Sequence, residues 1–245
     1  MANILVYALH YEGAINKNSL GAVSEGADLA AKTGGECHAI LVGQGVSDDL
    51  AASLGTYGAT KVLRAEGAEG LAQPVVDAMA AAWATGAYDY ALFGGGLLGF
   101  EVGAGLAARL GIGVAMEITA VHVTDGELVA ERPILGDSAV SEIRFSGGKG
   151  IVIGRLNAFD LRESGSGAAA VENLDVTYSE FSGRAQMLVR GEQRGEQVDI
   201  EGADVLIAGG RGLGAAEGFD LCNDLAAAFG GTSAVAATRA VVDAG

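Results

Sequence analysis

Four short apolar runs separated by helix-periodic segments fill the first 111 residues, and this rhythm limits the fold more than any other feature. The runs are "NILVYAL" (3–9), "ECHAILVG" (36–43), "TKVLRA" (60–65) and "YDYALFGG" (88–95). They do not alternate apolar with polar, the mark of strands buried on both faces. Between the first two, "NSLGAVSEGADLAAKTGG" (18–35) spaces Leu20, Val23, Ala27 and Ala30 or Ala31 at helical intervals, and Gly34 closes the helix. Further helices are predicted over 48–59, 70–86 and 99–111, with Pro74 sitting early in the second of these or kinking it and Gly111 stopping the last. The order βαβαβαβα predicts an α/β fold with a doubly wound parallel sheet.

The rhythm then changes. "VAMEITAVHVT", "GELVAERPI", "VSEIRFS" and "KGIVIGRL" are four strand-like runs joined by turns such as Asp125-Gly126 and Gly147-Gly148. They predict an antiparallel meander added to the α/β layer. Residues 160–180 read as a surface loop or crossover, 184–190 as one more strand, and "RGEQRGEQ" (190–197) as a linker. A fresh βαβ unit follows: strand 204–208, turn 209–214, helix 217–229, then the run "SAVAATRAVVDAG". The expected division is an N-terminal domain over 1–193 and the start of a second, Rossmann-like domain over 194–245. About 50 residues are too few for a doubly wound domain, so the second domain is expected to be completed by further chain or by another polypeptide.

Composition excludes several classes. The formal net charge is −16, which repels nucleic acid and suits a partner with a basic face; solubility alone would also explain it. Gly is abundant (40) and Pro scarce (2), with the glycines mostly at the ends of apolar runs, as in a compact protein. Cys37 and Cys222 belong to no CxxC and read as reduced core thiols. "MANILVYALHYEG" lacks the basic region of a signal peptide, and no apolar run is long enough to span a membrane. A cytoplasmic protein is expected.

The segment with most chemical content is Gly210-Arg211-Gly212-Leu213-Gly214-Ala215, which has the form G-x-G-x-x-G/A between a predicted strand and a predicted helix. Glycines let the backbone approach a phosphate, and the helix N-terminus points N–H groups at it. A dinucleotide fingerprint also wants an acid about 20 residues on. Thr238 and Arg239 stand a little beyond that distance, so an NADP site with Arg239 on the 2′-phosphate fits the spacing. A tight strand-to-helix corner with an exposed arginine fits it too. Other candidates carry less. His10, His38 and His122 are scattered without metal spacing, and His38 reads as a strand residue. "SGGKG" (146–150) is not a P-loop. Ser138 and Ser166 lack a nucleophile-elbow context, and Trp83 reads as core.

"GADVLIAGGRGLG" with "VAATRAVVDAG" resembles the electron transfer flavoprotein alpha-subunit family, and the resemblance extends to "ILVYA", "YGATKVL" (57–63), "LAARLGIGVAMEITAV" (106–121) and "RPILGDSAV" (132–140). It covers nearly the whole chain in order, and 204–245 is its most specific part. It implies FAD as cofactor and a heterodimer with a beta subunit. Electrons would come from acyl-CoA dehydrogenases of fatty-acid β-oxidation, or from amine dehydrogenases, and go to a quinone-linked or nitrogenase-linked acceptor. It implies no bond chemistry on a substrate. Gly210, Arg211 and Gly212 would contact FAD, Thr238 would hydrogen-bond it, and Arg239 would lie near the isoalloxazine ring. A fixed cation there favours the reduced flavin and raises its potential. The sequence departs from the family's Gly-Arg-Asp at Gly99-Phe100-Glu101, from Ser-Asp-Val-Thr at Met116-Glu117-Ile118-Thr119, and from Gly-Gly-Asn at Gly136-Asp137-Ser138. These departures bear on partner contacts and subtype more than on fold. Family members continue past the position of Gly245 into Gln-Val-Gly-Gln-Thr-Gly-Lys and Gly-Ile-Ser-Gly-Ala segments that carry further FAD contacts. A cofactor-free interaction module pairing with a beta-like subunit is the remaining alternative.

Overall fold

The computed structural model describes residues 1–165, 167–188, 200 and 203–244. The chain divides into two compact units, Met1–Leu188 and Val189–Gly245. In the N-terminal unit, β1 (Ile4–Tyr7) leads into a small hairpin, β2 (His10–Tyr11) and β3 (Ala14–Ile15), and then α1 (Lys17–Thr33). Next come β4 (Cys37–Val42), α2 (Asp48–Ser53) with a 3-10 turn over Leu54–Tyr57, β5 (Lys61–Ala65), α3 (Ala72–Trp83), β6 (Tyr90–Phe93) and α4 (Leu97–Leu110). β7 (Gly113–Ile118), β8 (Ala120–Thr124), β9 (Glu127–Ile134), β10 (Ala139–Arg144), β11 (Gly150–Gly154) and β12 (Ala170–Asn173) complete the unit.

Local chemistry sets the helix ends. The Asn16 side chain accepts from the Asn18 and Ser19 amides to start α1, and Gly34 stops it at φ 72°. Ser47 caps α2 by accepting from the Leu50 amide. Pro74 lies in the first turn of α3, where a missing N–H costs nothing.

Seven strands form one parallel sheet in the order β12-β5-β4-β1-β6-β11-β7. Its alternate residues feed two cores. On one face Ile4, Val6, Leu41 and Leu92 pack with Val23 and Leu29 of α1 and with Leu128 of the meander. On the other, Leu5, Ile40, Phe93 and Ile151 pack with Val75 and Met79 of α3 and Val102 and Leu106 of α4. The sheet is therefore covered on both sides, as expected of a doubly wound fold. Each fully buried aliphatic side chain contributes roughly 1.5–3 kcal/mol.

Four sequence expectations change. The meander has three strands, β10-β9-β8, not four. "KGIVIGRL" instead supplies β11, which inserts between β6 and β7; all five of its residues are buried, so it needs covered faces rather than a half-wet sheet. The run "VAMEITAVHVT" splits at Glu117, which has φ 62°, into β7 of the large sheet and β8 of the meander. The 160–180 loop contains β12, an edge strand parallel to β5. Residues 184–188 form no strand; positions 189–190, the linker 190–197 and Ser166 lie outside the described residues.

Both cysteines are free and buried. Burial pushes the Cys37 thiol up to about 12, so it stays protonated, and among the described residues no helix is long and apolar enough to cross a membrane.

In the C-terminal unit, β13 (Val205–Gly209), α5 (Phe219–Phe229), β14 (Ser233–Ala237) and the short α6 (Arg239–Val242) follow one another. β13 and β14 pair in parallel from Val205↔Ser233 to Gly209↔Ala237. β13, α5 and β14 thus form one parallel β-α-β unit, the unit from which nucleotide-binding half-folds are built.

Candidate functional site

Ligands of open parallel sheets bind beyond the carboxyl ends of the strands, where the winding direction reverses. The N-terminal unit has such a switch point between β1 and β6, but its own chain fills it. A Cβ on Gly94 would lie 2.5 Å from the Asn18 carbonyl oxygen, and one on Gly95 would lie 2.3 Å from the Leu156 amide nitrogen. His10 of the β2–β3 hairpin lies over the end of β4, its Nε2 3.1 Å from the Val42 carbonyl. Among the described residues no group of three or more His, Cys, Asp or Glu is placed to hold a metal.

The C-terminal unit has an open cleft in the corresponding place. The Thr238 amide donates to the Gly209 carbonyl at 2.8 Å, which fixes the end of β14 against the end of β13. The two sequence-predicted segments, Gly210–Gly212 and Thr238–Arg239, thereby become neighbours. A Cβ on Gly210 would lie 3.5 Å from Thr238 Oγ1. The turn is a 3-10 helix over Arg211–Leu213, closed by bonds from the Leu213 amide to the Gly210 carbonyl (3.0 Å) and from the Gly214 amide to the Arg211 carbonyl (3.1 Å).

A cleft of about 720 Å³ opens here, lined by Gly210, Arg211, Leu213, Gly214, Ala215, Ala216, Phe219, Ala240, Val241 and Ala244. Of the predicted residues, Gly210 and Arg211 line it, whereas Gly212, Thr238 and Arg239 border it. Arg239 opens α6, which supplies Ala240 and Val241 to the lining. Its side chain is 93% exposed, with Nε 3.4 Å from Asp243 Oδ2.

The turn's conformational demands fall elsewhere than on Gly210 and Gly212. Gly214 has φ 81°, and a Cβ on Gly209 would lie 2.5 Å from the Phe219 ring. Gly212 has nothing within 4 Å of a would-be Cβ, so its backbone is open to a ligand. Sequence spacing had identified neither Phe219 nor the Ala240–Ala244 wall. Phe219 had a usable signal, as the first large apolar residue of the helix after the glycine turn.

Charge completes the picture. Arg211 and Arg239 are the only Lys or Arg between 203 and 244, in a chain of net charge −16. Both stand at the same carboxyl edge, so the unit concentrates its positive charge where backbone N–H groups are also free to approach. An anion with an apolar body suits this donor set, and FAD, with its pyrophosphate and flat ring system, is of that kind.

The family model described as the electron transfer flavoprotein domain matches residues 4–179, and that described as the electron transfer flavoprotein FAD-binding domain matches 199–245. An electron transfer flavoprotein subunit alpha of Mycobacterium leprae (strain TN) is 32% identical, over 100% of this chain and 75% of its own length. Protein FixB of Clostridium saccharobutylicum is 30% identical over 99% of this chain and 73% of its own length. The subunit alpha of Bacillus subtilis (strain 168) is 30% identical over 95% and 71%. The chain thus spans about three quarters of the length of these relatives. With both family models matched in order, the chain belongs to the electron transfer flavoprotein alpha-subunit family.

Proposed function

We propose that this chain holds FAD at the carboxyl edge of its C-terminal unit, shares it with a beta-type subunit in a heterodimer, and carries electrons from dehydrogenases of the acyl-CoA type to a quinone-linked or other acceptor. The functional division at 193/194 and a cytoplasmic location belong to the same reading. The observation that carries it is the cleft at the carboxyl edge of a parallel βαβ unit, lined by Gly210 and Arg211 and bordered by Thr238 and Arg239. Bound FAD would supply the one-electron chemistry. The chain's own part is to bind and bias. The open backbone at Gly210 and Gly212 and the Arg211 guanidinium suit the phosphates, Thr238 Oγ1 offers a hydrogen bond, and Arg239 lends a fixed positive charge that favours the reduced, negative form. The acidic surface suits transient docking, weakened by salt.

Titrating the intact protein with FAD, with its beta-type subunit present, and with NADPH as comparison, tests this. FAD should bind and NADPH should not displace it. Arg211→Ala and Arg239→Ala should each weaken FAD binding about tenfold, as expected for loss of a charge-assisted hydrogen bond. Preferential binding of NADPH would overturn the reading.

A further inference from the structure

Arg239 acts as a fixed charge only where something fixes it. Its side chain is almost fully exposed, so no packing holds the long stem, and an unrestrained arginine spreads over many rotamers. Among the described residues, the one carboxylate in ion-pair reach of it is Asp243, with Oδ2 3.4 Å from Nε. Nε lies at the root of the guanidinium fork, so a bond there restrains the direction in which the fork leaves its stem.

The pair is not needed to hold α6. The backbone already does so: the Asp243 amide donates to the Arg239 carbonyl at 2.8 Å, and the Val241 and Val242 amides donate to the Thr238 carbonyl at 2.8 and 3.2 Å. The order of the charges also works against the helix. Helices gain from an acid placed four residues before a base, from anions at the start and from cations at the end. Here Arg239 opens α6 and Asp243 follows its last residue. The placement serves the cleft instead. Ala240, Val241 and Ala244 line it. Arg239 and Asp243, one position before Ala240 and Ala244, form the neighbouring row of the same turn. A pair in that row sets where the positive charge stands at the cleft's border.

Resting on the flavin reading above, we infer that Asp243 is a positioning residue of the flavin site: its carboxylate holds Arg239 by Nε, so that the guanidinium is presented to the bound anion in one place. A role through charge alone has the opposite sign. Removing an anion beside the flavin would favour the reduced, negative form and raise its potential, whereas releasing Arg239 disperses the cation and lowers it.

The test uses the intact protein with its beta-type subunit present. The FAD dissociation constant and the midpoint potential of the bound FAD are measured for wild type, Asp243→Ala, Asp243→Glu, Arg239→Ala and the double variant Asp243→Ala/Arg239→Ala. Asp243→Ala should bind FAD about threefold more weakly, the scale of an exposed ion pair, with a lower midpoint potential and an unchanged melting temperature. Asp243→Glu, which still reaches Nε, should restore most of both. With Arg239 already replaced, removing Asp243 should change neither. A raised potential in Asp243→Ala would assign the residue to charge alone and overturn the inference. Equal losses with and without Arg239, or no change in either background, would overturn it too. All three results leave the flavin reading standing. A wild-type protein that takes up no FAD would overturn that reading and this inference with it.

Discussion

Asp77→Ala should lower the stability of the N-terminal unit by about 3 kcal/mol and its melting temperature by roughly 10 °C. Asp77 sits on α3 with its side chain only 2% exposed. One oxygen pairs with Arg109 of α4. The other accepts from the Ser179 amide (2.8 Å), Ser179 Oγ (2.8 Å) and Ser182 Oγ (2.6 Å). A single carboxylate thus joins two helices to the segment that leaves β12. Burial alone would raise this carboxyl, but the hydrogen bonds from Ser182 and Ser179 and the one from Arg109 outweigh it and hold the group at about 2 instead of 3.8. Because the folded value is the lower one, the ionised group stabilises the fold fully above about pH 4. That contribution declines as pH falls from 3.8 toward 2 and is gone below it. Thermal melts of wild type and variant should converge over that window, and hydrogen exchange should show 174–184 released in the variant. Equal melting temperatures at pH 7 would mean that the segment is held by other contacts.

Gly95→Ala should cost a similar amount, about 3 kcal/mol, by a steric route. The new Cβ would lie 2.3 Å from the Leu156 nitrogen, 2.5 Å from the Arg155 carbonyl carbon and 2.6 Å from the Leu156 Cα. All three are backbone atoms, so no side-chain rotation relieves the overlap, and the Arg155–Leu156 segment must leave β6. Arg155 would then lose its hold on Glu117 and Asp137. The variant should lose stability together with those Arg155 contacts. Gly183→Ala is the control: a Cβ there meets nothing within 4 Å, and chemical denaturation should give it wild-type stability. A wild-type denaturation midpoint for Gly95→Ala would show that the edge is looser than its packing implies.

The parts of this fold that were legible in the sequence are those with a local cause. α1 announced itself through its periodicity and Gly34, and the parallel order through unbroken apolar runs. What escaped depended on long-range pairing. β11 looked like a meander strand because "GIVIG" follows a hairpin, although its lack of polar alternation pointed to a sheet covered on both faces. β12, "AVEN", has one partly buried residue in four, as edge strands do, and nothing in it names β5 as its neighbour. The tie between Asp77 and Ser179 crosses 102 residues and has no sequence signature. At the candidate site the glycine turn and the Thr238–Arg239 pair were readable because motif and resemblance both mark them. Their adjacency was not, since it follows from the register of β13 with β14 and the Thr238–Gly209 hydrogen bond. The two glycines that the motif emphasises, Gly210 and Gly212, are also not those the turn sterically requires.

The visible absorption spectrum of the chain co-purified with its beta-type subunit tests the central claim most directly. The account predicts flavin bands at about one FAD per pair, diminished in Arg211→Ala and Arg239→Ala. A stable but colourless pair that takes up no added FAD would contradict it.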